Sequence, residues 1–161
     1  MKAAGKKRVY LETTVISYLA ARPSRDLVTA AHQQITVEWW HDRRAHFDVF
    51  VSSLVLEELR RGDVDAADRR ANLISGIKVV GLNTDVARLA RDLVELKAIP
   101  RAASADALHV AAAAAHRMDF LVTWNCSHIN NAQMIDKMRR ICDLKGFSCP
   151  VICTPEELSG A

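Results

Sequence analysis

No run in these 161 residues is apolar for the roughly 20 positions that a membrane-spanning helix requires. With only six glycines there is no GxGxxG after any strand candidate, which removes a dinucleotide-binding fold. The four cysteines, at positions 126, 142, 149 and 153, form no CxxC pair and have no histidines at zinc-finger spacing. Small buried thiols are the simpler reading. The segment MKAAGKKRVYLE carries positive charge with no apolar stretch after it, unlike a secretory signal, so a cytoplasmic protein without membrane contact is expected. A net charge of +3 is too small to argue for nucleic acid by itself. The pairs Arg22 and Arg25, Arg43 and Arg44, Arg60 and Arg61, and Arg139 and Arg140 read first as solvated surface.

What is present is a composition half hydrophobic and a quarter charged, as in a globular protein of one domain spanning residues 1–161. Short β-branched runs alternate with helical patterns. Residues 8–12, 48–52, 77–81, 120–123 and 150–153 are the strand candidates, apolar on both faces and suited to a sheet covered by helices. Ser24 or Asp26 can cap a long helix reaching about Ala45, and Thr84 can cap DVARLARDLVELK. Ser104 can cap the alanine-rich ADALHVAAAAAHR, and Thr154-Pro155-Glu156-Glu157 is a capping box. Strand–helix alternation implies a parallel sheet of right-handed βαβ units, an α/β protein with five strands.

Chemistry in open α/β sheets collects at the carboxyl ends of the strands. There the sequence sets residues that a core would not choose. Glu12 closes the first strand. Glu57 and Glu58 follow the second in VSSLVLEELRRGD, Asp106 lies in the first turn of the alanine-rich helix, and the fourth strand runs into TWNCSH. Each has a bland explanation. Asp106 favours its helix dipole, the two glutamates can pair with Arg60 or Arg61, and Asn125 suits a turn. If Glu12, Glu58 and Asp106 converged, each pair at ~5 Å would repel by roughly 3 kcal/mol, which calls for a cation or bound protons. Hard oxygen ligands favour Mg²⁺ or Mn²⁺, which can activate water and steady charge on a phosphate.

YLETTVISYL, VSSLVLEELRRGD, SADALHVAAAAA and FLVTWNCSHI, in this order and spacing, resemble the PIN domain, the nuclease fold of VapC-type toxins in bacterial toxin–antitoxin pairs. The resemblance covers nearly the whole chain. It implies a three-layer α/β/α fold with strand order 3-2-1-4-5, and cleavage of RNA with Mg²⁺ or Mn²⁺. It also implies a cognate antitoxin and a homodimer. Glu12, Glu58, Asp106 and Asn125 match the family's four catalytic and metal-binding positions. Thr14 and Thr123 match supporting hydroxyls. Two departures stand out: Glu12 is one methylene longer than the usual Asp, and Asn125 is neutral where a fourth acid is common. Three formal negative charges suffice for one Mg²⁺. Glu57 remains a rival for Glu58, since adjacent helical residues point about 100° apart.

His109 follows Asp106 by three residues and reads as a core or supporting histidine. Trp39 and Trp40 cannot share one core stripe, so an interface position or partial burial is expected of one. Trp124 could stack on a base but reads first as packed. A catalytically weakened PIN module that binds RNA or a protein partner is the alternative, motivated by Asn125. A receiver domain fails because its third strand would need a terminal aspartate, whereas this one runs IKVVGL.

Overall fold

The computed structural model describes residues 5–61 and 63–160. Residues 1–4 of the basic N-terminal stretch, Gly62 of VSSLVLEELRRGD and Ala161 lie outside the described residues. The chain runs β1 (Arg8–Leu11), α1 (Thr13–Ala20), α2 (Leu27–Asp42), β2 (Asp48–Ser52), α3 (Ser53–Leu59) and α4 (Val64–Ile74). It continues β3 (Lys78–Val80), α5 (Thr84–Glu95), α6 (Ser104–Ala115), β4 (Phe120–Val122), α7 (Ala132–Leu144) and β5 (Val151–Cys153).

The five strands are parallel in the order β3-β2-β1-β4-β5, as the resemblance implies. Tyr10 stands opposite Phe50 of β2 and Leu121 of β4, so β1 is central. Val9, Tyr10 and Leu11 are all fully buried. Successive strand residues face opposite ways, so helices must cover both faces of the sheet, giving three layers. Helix α1 packs with α2, α3 and α4, while α5 packs with α6 and α7. The alanines at 111–114 leave almost no side-chain bulk on α6, which lets neighbouring backbones approach closely.

Helix ends differ from expectation by local chemistry. Asp26 caps α2 by accepting the Thr29 N–H, but the helix stops at Asp42 and a 3₁₀ turn, Arg44–His46, completes the segment. Asn83, not Thr84, caps α5 through the Val86 N–H. Ser104 is the first residue of α6 rather than its cap, and Ala103 before it offers no side-chain acceptor. Thr154 and Glu157 make both capping-box hydrogen bonds, yet a turn and not a helix follows.

Both adjacent tryptophans are buried, contrary to the expectation for a two-sided helix. Trp39 stacks on Phe47 in the core, and Trp40 is roofed by the Arg44 guanidinium 4.1 Å from its ring centre. Of the cysteines, 142 and 153 are buried as expected and 149 is half-buried, but Cys126 is exposed on the loop after β4.

Candidate active site

Glu12 follows β1 directly, with φ −75° and ψ 158°, so its carboxylate becomes the N-cap of α1. Its Oε2 accepts the Thr14 N–H at 3.0 Å, the Thr14 hydroxyl at 2.5 Å and the Thr123 hydroxyl at 2.8 Å. Only 4% of Glu12 is exposed, so these three donors offset the desolvation that a buried charge would otherwise suffer. The same two hydroxyls also work as acceptors. Thr14 receives the Trp124 N–H and Thr123 receives the Asn125 N–H, each at 2.9 Å. Glu12 therefore ties the end of β1 to the loop leaving β4, across the point where strand order reverses.

Glu58 enters from α3. Its Oε1 accepts the Thr13 hydroxyl at 2.9 Å and lies 2.5 Å from Nε2 of His109. Glu57 points to solvent and pairs with Arg61 at 3.2 Å. Burial alone would raise the Glu58 carboxyl, but the hydrogen bond and charge of His109, aided by Thr13 and Arg61, outweigh it. They hold the group below the usual carboxylate range.

Behind Glu58 runs a buried polar chain. His109, 1% exposed, sets Nδ1 2.7 Å from the Tyr10 hydroxyl, which is 2.7 Å from Oγ of Ser52. Each member of the chain has a partner within hydrogen-bond distance, and Nε2–H of His109 donates to Glu58. Burial pushes the Tyr10 phenol far above its ordinary range; the charges of Glu12 and Glu58 add to this and the Ser52 hydrogen bond opposes it. The phenol therefore stays protonated, as the chain requires.

Asp106, on the first turn of α6, holds His128: Oδ2 lies 3.1 Å from Nδ1. His128 is presented by the turn that Asn125 closes, whose Oδ1 accepts the His128 N–H at 3.0 Å. Asn125 is thus occupied as a turn residue. Trp124 is packed: its ring lies 4.0 Å from that of His32, with Tyr18 alongside, and its Nε1 donates to Thr36.

Tyr10, Ser52, Thr13 and His128 did not stand out in the sequence. Tyr10 read there as strand interior, Ser52 as the last residue of a strand, and His128 as the tail of a loop. The only available signal was position: Tyr10 two residues before Glu12 on one strand, and Ser52 at the end of the neighbouring one.

Among the described residues, no donor reaches Oε1 of Glu12, Oε2 of Glu58 or Oδ1 of Asp106. The donor chemistry, three hard carboxylate oxygens at one sheet edge, fits a hard divalent cation. The fit lies in donor type and not in a ready-made cage, since no three of His, Cys, Asp and Glu among the described residues form a group that could hold an ion. Among the described residues the three acids do not gather into one such group, so the mutual repulsion expected of converging carboxylates is not seen. Hydroxyl, histidine and backbone donors already steady each acid.

Residues 9–125 match the family model described as PIN domain. Among solved structures the chain is similar to VapC20 of Mycobacterium tuberculosis, described as a toxin that cleaves the sarcin-ricin loop. The TM-score is 0.57 at 16% identity, over 74% of this chain and 92% of that one. It is also similar to VapBC2 of Rickettsia felis, solved bound to a DNA fragment from its promoter. There the TM-score is 0.54 at 15% identity, over 91% of this chain and 98% of that one. At these identities the two structures speak for the fold alone. No curated protein sequence matches the chain. With the family model spanning most of its length and the strand order agreeing, the chain belongs to the PIN domain family.

Proposed function

We propose that this PIN domain is an endoribonuclease that hydrolyses RNA phosphodiester bonds, acting as the toxin of a toxin–antitoxin pair. What supports the reading is that Glu12 closes β1, Glu58 meets Thr13 just after it, and Asp106 meets His128 in the loop that follows the neighbouring strand β4. The similarity to VapC20, an RNA-cleaving toxin by its description, supports the activity. The similarity to VapBC2 supports an antitoxin partner.

Mg²⁺ or Mn²⁺ belongs to this reading: the uncommitted oxygens of Glu12, Glu58 and Asp106 would hold it, and it would acidify a bound water and stabilise charge on the phosphate. The chain's own work is positioning. Glu12 is fixed by Thr14 and Thr123, Glu58 by Thr13 and His109, and Asp106 by His128. Such locked side chains lose little freedom when substrate arrives. A cytoplasmic setting and a homodimer complete the proposal, and light scattering on purified protein tests the latter.

The test is cleavage of single-stranded RNA by purified protein with Mg²⁺ or Mn²⁺. Asp106→Asn is expected to abolish it. Undiminished cleavage by that variant, with contaminating nucleases excluded, would overturn the reading.

Asn125 favours one second reading, a weakened PIN module that binds RNA or a protein partner, because its side-chain oxygen is committed to the His128 N–H and brings no charge. Titration calorimetry separates the two. RNA binding without Mn²⁺ binding would favour the module, as would cleavage gained on Asn125→Asp.

A further inference from the structure

Three of the four arginine doublets lend one member to an ordinary structural contact. Arg61 pairs with Glu57, Arg140 with Asp136, and Arg44 covers Trp40. Cations far apart in sequence gather elsewhere. A cleft of about 430 Å³ lies between the end of α5, the segment before α6 and the start of α7, and Lys97, Arg101 and Lys137 line it with Glu95 as its one acid. A second cleft, of about 330 Å³, shares Arg101 and adds Arg91. Among the described residues none of these four cations forms an ion pair. On a chain of net charge +3, four cations against one acid make a local excess equal to that of the whole molecule.

The clefts lie at the connection between α5 and α6, and the first turn of α6 carries Asp106. Arg101 and Ser104 precede Asp106 by five and two residues; Ser104 and Leu108, one helical turn apart, line the second cleft, and the 3.6-residue period turns Asp106 to the other side of α6. Gln133 and Met134, shortly after His128, line the first. Pro100 and Met134 give the first cleft apolar wall against which a sugar or base can lie. An evenly charged, flexible polyanion with apolar faces matches this mixture better than a folded acidic surface does.

We propose that the joined clefts lined by Arg91, Lys97, Arg101 and Lys137 bind the phosphate backbone of single-stranded RNA whose further course passes around the start of α6 to Asp106. The inference rests on the nuclease reading and adds the path of the substrate. RNA longer than the catalytic pocket gains affinity here, and its salt dependence comes largely from these side chains.

The experiment reads binding of a fluorescent 20-nucleotide RNA by anisotropy, in an Asp106→Asn background so that cleavage does not intervene. Lys97→Glu, Arg101→Glu and Lys137→Glu together are expected to weaken binding by at least about tenfold and to lower the log–log salt slope by about 2. A control of equal charge change at the opposite sheet edge, Lys6→Glu, Lys7→Glu and Arg117→Glu, is expected to shift affinity far less. With Asp106 restored, the cleft variant is expected to cleave a tetranucleotide normally and the 20-mer poorly. Circular dichroism checks folding, and the glutamine versions at the same positions replace the charge reversals if these misfold. Unchanged binding, equal loss in the control, or competition by polyglutamate as effective as by RNA would overturn the proposal. If wild-type protein neither binds nor cleaves any RNA, the nuclease reading itself fails.

Discussion

Asn125 holds the backbone of His128 through a 3.0 Å hydrogen bond, and His128 in turn meets Asp106 at 3.1 Å. A neutral residue at the end of β4 therefore acts on a carboxylate of α6 through the turn it closes. Asparagine and aspartate both cap such turns well, so Asn125→Asp is expected to keep the fold. Asn125→Ala should lose about 1 kcal/mol in urea titration and lower cleavage several-fold, as Asp106 loses its oriented partner. An alanine variant as stable and active as wild type would show that the turn does not matter.

Glu57 and Glu58 are adjacent, yet the rotation of α3 gives them opposite fates. Glu57→Gln removes only a solvent-exposed pair with Arg61, and stability should change by less than about 0.5 kcal/mol with cleavage unaffected. Glu58→Gln should cost about 1–3 kcal/mol, because the hydrogen-bonded charge beside His109 is lost, and it should remove cleavage. Paired chemical denaturation and RNA cleavage assays check both, and reversed effects would assign the site to Glu57.

Alkaline pH tests the buried chain behind Glu58. The Tyr10 phenol is raised in the folded state, so its contribution is present below the unfolded value near 10 and is lost as pH rises above it. Tyr10→Phe should be less stable at pH 7 by about 1–3 kcal/mol, since His109 and Ser52 lose a partner. Above pH 10 the gap between wild type and variant should narrow by up to about 1.4 kcal/mol per pH unit. Thermal melts from pH 7 to 11 measure it; a constant gap would mean that Tyr10 ionises freely.

Because internal donors already hold each carboxylate, the fold should not depend on metal. EDTA is expected to move the melting temperature of the purified protein by less than about 2 °C while abolishing cleavage. Added Mn²⁺ should raise the melting temperature in a concentration-dependent way, as mass action requires. Unfolding on chelation would contradict the hydrogen bonds described here.

Much of the fold was legible because its signals are local. The five β-branched runs fall within a residue or two of the five strands, and Asp26 announces α2 by its own side chain. Glu12 and Asp106 were legible for the same reason, since a carboxylate at a strand end or a first helical turn is visible in one dimension. Helix ends were less so. Thr84 and Asn83 are both competent caps, and only backbone geometry chose between them. Trp40 was misjudged because its cover, Arg44, comes from beyond the helix that carries it.

By itself the sequence determined the α/β alternation, the strand positions, the carboxylate that closes the first strand and the one in the first turn of α6, because period, capping and turn preference act within a few residues. Tertiary structure alone decided that Glu58 turns inward and that Tyr10 backs His109. It also decided that Asn125 serves His128, and that Lys97, Arg101 and Lys137 share one cleft. Those outcomes depend on how helices rotate and pack against a common sheet, and distances between residues remote in the chain are set only once that packing is complete.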